Sequence, residues 1–182
     1  MDFSPAIAAV SPDRPVFVLG ERAPALELVR ALGATPAFYA MPGTRLLPDL
    51  VAAAGRARPT LGSLLGAGPP AGLLPARWYR DVQAAGLRHS GKARTVEFCG
   101  LSILVLCELF PAAQFVVVRQ VKRAIPRSRR LPPLEPGRIL EVDSAAAAAP
   151  ESLSRALAFL GAPPPVELDL SDRRVGPAAN PA

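Results

Sequence analysis

Residues 14–33, RPVFVLGERAPALELVRALG, read as a buried strand that turns tightly into an amphipathic helix. The strand is the apolar run Val16 to Leu19 between Pro15 and Gly20, and the helix sets Leu28, Ala31 and Leu32 on one side before Gly33 stops it. A strand, a turn and a helix in this order open many phosphate-binding α/β domains. The turn itself is poor in what an anion needs. Glu21 adds a negative charge and Pro24 has no N–H to donate, whereas a phosphate cradle is built from consecutive backbone N–H groups.

Outward from this unit, residues 35–44 read as a loop and residues 46–57 as a helix that Pro59 ends. Residues 58–75, with GAGPPAG at their centre, read as a flexible connection or lid. A short helix is expected over residues 78–85, then a polar segment to Thr95, then one apolar helix over residues 96–110 closed by Pro111. Residues 115–118, FVVV, and 138–142, RILEV, are further strands. A last helix begins at Pro150, carries Leu153, Leu157 and Leu160, and stops at Gly161. Strands alternating with helices lead to an α/β fold, a parallel sheet flanked by helices with a P-loop-like nucleotide-binding layout. Residues 1–182 are expected to form a single domain, with residues 162–182 as a C-terminal tail.

Composition narrows the partners. The chain of 182 residues carries a formal net charge of +6 and a pI near 10.3, which favours anionic ligands in general. The densest positive run, residues 119–130 (RQVKRAIPRSRR), lacks interleaved aromatics, and aromatics make up 5% of the chain, too few for a base-stacking surface. Nucleic acid is therefore not an expected partner. The 22 prolines and the alanine tract at residues 145–149 point to GC-rich coding and many loops. Cys99 and Cys107 stand in an apolar stretch without metal-type spacing, and His89 is the lone histidine, so no metal is expected. The first fifteen residues lack a basic segment followed by an apolar one, and the longest apolar run is too short to span a bilayer. A cytoplasmic protein with no membrane partner is the expectation.

Four stretches in order resemble the sulfotransferases that use 3′-phosphoadenosine 5′-phosphosulfate, above all the bacterial branch. RPVFVLGERAPALELVRAL resembles that family's FVLGxPRSGTTLLxxLL, and GTRLLPDL the loop and helix after it. ELFPAAQFVVVRQVKRAIPRS resembles ELFPDARFVHLVRDPRDVAxS, and residues 137–163 resemble RYLEVRYEDLVxDPxxTLRRLLxFLGLP. DRRVGP, residues 172–177, is similar to the family's RVGRW. In the first loop only Arg22 matches the basic residue, and Ala23, Pro24, Ala25 and Leu26 stand in place of Ser-Gly-Thr-Thr.

The resemblance implies a nucleotide donor and a set of residues to hold it. Arg22 would meet the 5′-phosphosulfate, Arg119 and Ser128 the 3′-phosphate, and Arg174 would close over the nucleotide. Ser128 is one position beyond the ungapped match, which falls on Arg127. Lys92 would assist the leaving oxygen, with Arg94 as its competitor, because sulfuryl transfer spreads charge that positioned cations stabilise. His89 is the remaining candidate for a general base toward the acceptor, since imidazole exchanges protons near neutral pH.

Two functions follow from the resemblance. One is a sulfotransferase acting on a hydroxyl or amine of a small molecule or glycan. The other is a catalytically degenerate relative that serves as a binding or scaffold partner, for which the altered first loop speaks. A P-loop kinase is disfavoured because no GxxxxGK[ST] occurs.

Overall fold

The apolar run after Pro15 forms strand β1, Val16–Gly20, in the computed structural model, which describes residues 14–41, 45–65, 73–120 and 137–163. Its side chains alternate, so Val16 and Val18 enter one core while Phe17 and Leu19 enter another. Helix α1, Arg22–Ala34, follows at once and buries Ala25, Leu28, Val29 and Leu32 at helical spacing. It does not stop at Gly33. Thr35 ends it, with its hydroxyl and its backbone N–H both donating to the Leu32 carbonyl. Gly33 serves a close approach instead, because a Cβ there would lie 2.3 Å from that of Ala40.

The remaining elements are β2 (Phe38–Ala40), α2 (Leu46–Leu65), α3 (Leu73–Ser90), β3 (Arg94–Phe98), α4 (Ile103–Leu109), β4 (Gln114–Arg119), β5 (Ile139–Asp143), a 3-10 turn (Ser144–Ala146) and α5 (Pro150–Leu160). The five strands pair in the order β2-β3-β1-β4-β5, and every pairing is parallel. Helices α1 and α5 cover one face, where Val116, Val118, Leu140 and Val142 continue the core begun by β1. Helices α2, α3 and α4 cover the other, around Phe17, Phe110 and Phe115. The faces follow from chain direction. From β1 the chain moves outward to β2, and afterwards it moves back across the sheet, so right-handed crossovers put the two sets of helices on opposite sides. This parallel sheet with helices on both faces is the α/β architecture expected from the alternation of elements.

Three local expectations change. Residues 96–110 are not one helix. Arg94–Phe98 is the strand beside β1, Gly100 interrupts, and Ser102 caps α4 by accepting from the Val105 N–H. Residues 35–44 contain the three-residue β2, too short to show a period of two. Residues 58–75 are not mainly a connection, because α2 runs past Pro59 to Leu65, and α3 starts at Leu73 and extends beyond the expected short helix to Ser90. Proline reads differently once the helices are placed. Pro24, Pro48 and Pro75 each occupy the third position of a helix and Pro150 the first, where the N–H has no intrahelical acceptor to lose.

Two substitutions test this arrangement. Gly20 has φ of +109°, and a Cβ there would lie 1.9 Å from the carbonyl oxygen of Val118. Gly20→Ala is therefore expected to lower stability by at least about 1 kcal/mol in denaturant titration, beyond the usual gain from a stiffer unfolded chain. Leu157 is 1% exposed against the α1 face of the sheet. Leu157→Ala should cost about 2–5 kcal/mol in the same measurement, and a loss under about 1 kcal/mol would mean that α5 does not pack there as described.

Candidate functional site

In a parallel α/β sheet ligands bind beyond the carboxyl ends of the strands, where neighbouring strands send their connections in opposite directions. Here that point lies between β1 and β4. The chain leaves β1 toward β2 on one side, and the strand after β4 lies on the other. A cleft of about 510 Å³ opens at this place. Glu21, Ala23, Pro24 and Glu27 of the α1 start form one wall, and Gln120 follows β4. Asp143, Ser144 and Ala145 close the other side.

Backbone geometry fixes both walls. The Glu21 N–H donates to the Val118 carbonyl at 3.0 Å, which ties the start of α1 to the end of β4. Asp143 turns the chain out of β5, its carboxylate accepting from the Ala145 N–H at 3.1 Å. The charge is the reverse of what a phosphate needs. Three carboxylates line the cleft, and among the described residues no Lys, Arg or His belongs to its lining. Glu21 is the N-cap of α1, makes no side-chain capping bond, and sets its charge against the positive end of the helix dipole.

The basic residues singled out in the sequence lie elsewhere. Arg22 is exposed at the first position of α1 and is not part of the cleft lining. Arg119 does sit at the carboxyl end of β4, but strand alternation turns it to the α2–α4 face, where its guanidinium pairs with the Glu141 carboxylate on β5. Its Nε is buried without a partner among the described residues. His89 and Lys92 come before β3 and so fall at the amino edge of the sheet. The five residues of β3 advance about 17 Å, so these two groups are at the opposite edge from the cleft. His89 is exposed in the last turn of α3, and the Lys92 ammonium donates to the Gly33 carbonyl in the last turn of α1. The structure therefore does not bring Arg22, His89, Lys92 and Arg119 together. Ser128 and Arg174 lie outside the described residues.

Arg94, the competitor of Lys92, is a tie between elements. Its guanidinium donates to the carbonyls of Arg14 at 3.0 Å and Leu160 at 2.8 Å, and to Gln114 Oε1 at 2.7 Å. It also lies over the Phe38 ring. Burial, with Arg14 adding to it, pulls its pKa down to about 10, which leaves it charged at neutral pH. Cys99 is buried, and burial pushes its thiol up to about 11, with Glu97 nearby acting in the same direction. Such a thiol is no nucleophile at neutral pH. No group of three or more His, Cys, Asp or Glu among the described residues is arranged to hold a metal ion, and no described helix is long and apolar enough to cross a membrane.

The sequence held a signal for the cleft's character that its basic residues obscured. Glu21 and Asp143 stand at the ends of strands and Glu27 in the second turn of α1, and their position at the carboxyl edge follows once those strands are known to be parallel.

No protein-family model matches the chain, and no curated protein matches it. Among solved structures, an unliganded sugar kinase from Janibacter sp. HTCC2649 is similar to it at a TM-score of 0.43 and 18% identity, over 83% of this chain and 96% of that one.

Proposed function

We propose that the chain is a binding or scaffold module on a sulfotransferase-like α/β fold, one that does not transfer sulfuryl groups. The observation that supports this reading is the acidic cleft at the carboxyl edge. At an effective dielectric near 20, a carboxylate about 6 Å from a phosphate opposes it by about 3 kcal/mol. A helix N-terminus favours an anion by at most about 1–2 kcal/mol. With Glu21, Glu27 and Asp143 all present, repulsion exceeds what the dipole of α1 supplies. The N–H groups that could compensate are reduced by Pro24.

Sulfuryl transfer from 3′-phosphoadenosine 5′-phosphosulfate to a hydroxyl or amine of a small molecule or glycan is the second reading. One observation favours it, the placement of Arg119 at the end of β4. In that reading Arg119 would exchange Glu141 for the 3′-phosphate.

Calorimetric titration with adenosine 3′,5′-bisphosphate separates the two. The module reading expects no binding. Micromolar binding that weakens by about 2 kcal/mol in Arg119→Ala, the scale of a charge-assisted contact, would replace it with the transferase reading.

A gain-of-binding variant tests the cause. Combining Glu21→Ser, Ala23→Ser and Pro24→Gly removes one carboxylate and restores donors, so its affinity for the bisphosphate should exceed the wild-type limit at least tenfold. Unchanged affinity in a folded variant would show that the first turn is not what excludes the nucleotide.

A further inference from the structure

Helix α3 lays one row of side chains on the sheet and turns another outward. The buried row is Ala76, Tyr79, Gln83 and Leu87, and Gln83 Nε2, donating to Thr95 Oγ1 at 2.9 Å, holds that side against β3. On the opposite side Trp78, Val82, Ala85 and His89 follow one another at alternating spacings of four and three residues, which makes a straight seam along a helix. All four are exposed, Trp78 at 55% and Val82 at 42%. Among the described residues the one other large apolar side chain left as open is Leu104 of α4. Two of the three thus stand one turn apart in a single seam, and aligned apolar surface of this kind marks a contact.

The seam is complementary to itself. Trp78 and His89 are equally far from its centre, and so are Val82 and Ala85. When two copies of α3 pack antiparallel about a two-fold axis, Trp78 therefore meets the second copy's His89, and Val82 meets its Ala85. The charges beside the seam obey the same symmetry. Asp81 stands one residue before Val82 and Arg88 three residues after Ala85, the positions that lie side by side across an antiparallel helix pair. Each Asp81 meets the other copy's Arg88, twice in the dimer. Both side chains are exposed, and among the described residues neither belongs to an ion pair within the chain. On the other flank Tyr79 is buried in its own core and Gly86 lies against the Tyr39 ring, so α3 brings no like charges together there. A parallel pairing would set Asp81 beside Gly86 and leave both charges without a partner.

We propose that the outward seam of α3 is a docking surface for a second copy of this chain, joined antiparallel by Trp78 and Val82 and set in register by Asp81 and Arg88. The seam from Trp78 to His89 is about 16 Å long, and one helix from each copy buries less than a standard interface of about 1,600 Å², so the dimer is weak and depends on concentration. This goes beyond the binding-module reading and does not rest on it. Helix α3 lies on the face of the sheet away from α1, so pairing leaves both acidic clefts open and presents two of them at once.

Sedimentation equilibrium on the full chain measures the association. The wild type should pass from monomer to dimer in the micromolar range, and the emission of Trp78, the only tryptophan in the chain, should move to the blue as it does. Trp78→Ala should weaken dimerisation at least tenfold, as loss of a central aromatic anchor does. Asp81→Arg and Arg88→Asp each set like charges face to face twice and should each weaken it about tenfold. Mixed together, these two variants regain both opposite-charge pairs, so they should form a heterodimer close to wild-type strength. A wild type that stays monomeric to about 1 mM would overturn the proposal. So would a dimer that Trp78→Ala leaves unchanged, or a mixture of the charge variants that associates no better than either alone.

Discussion

The close passage of Gly20 beneath the carbonyl of Val118 is the constraint on which the functional end of the molecule depends. The Val118 oxygen accepts from the Glu21 N–H, and the same oxygen occupies the space a side chain at position 20 would need. The chain can leave β1 there only with a positive φ, which glycine adopts without strain. Once the turn is held in this way, α1 must begin against the end of β4, and its first turn becomes one wall of the cleft. The other wall is set by the parallel pairing of β4 with β5, which brings Asp143 alongside Arg119. The cleft is thus a consequence of two backbone registers, and its chemistry is decided by whichever side chains those registers deliver.

At the opposite edge, positive charge has a structural use. Arg94 joins the chain before β1, the end of α5 and the start of β4, and its partner Gln114 offers its own amide to the carbonyls of Gly137 and Phe159. A guanidinium suits this place because its fixed fan of donors can satisfy several carbonyls at once. Lys92 acts in the same spirit at the end of α1, where a cation meets the negative end of the helix dipole. Two cations that resemble donor-binding groups in sequence therefore hold the amino edge of the sheet together.

Much of the scaffold was legible because its signals are local. VFVL between proline and glycine, FVVV before an arginine, and a proline-to-glycine helix carrying Leu157 each announce themselves within a dozen residues. Strand β3 did not, because TVEFCGLSILVLCELF is apolar nearly throughout, and a strand and a short buried helix in tandem carry no contrast in period. Only Gly100 and the capping Ser102 mark the join. Missing β3 also hid Glu97, a carboxyl buried in the core. The placement of the candidate site residues was not legible for a different reason. Matching Arg119 to a phosphate-binding arginine takes no account of Glu141, which is 22 residues away in sequence and one strand away in space.

Net charge misleads in the same manner. The chain is basic overall, and that excess favours anions at long range. At physiological ionic strength, however, exposed charges are screened beyond about 8 Å, so a ligand inside the cleft responds chiefly to the groups lining it. Among the described residues those groups are three carboxylates, a hydroxyl and an amide. Arg119 cannot redress the balance, because its charge faces the other side of the sheet and is already opposed by Glu141. An arginine at the end of a strand therefore marks an anion site only when alternation turns it toward the cleft and no carboxylate on the neighbouring strand meets it first.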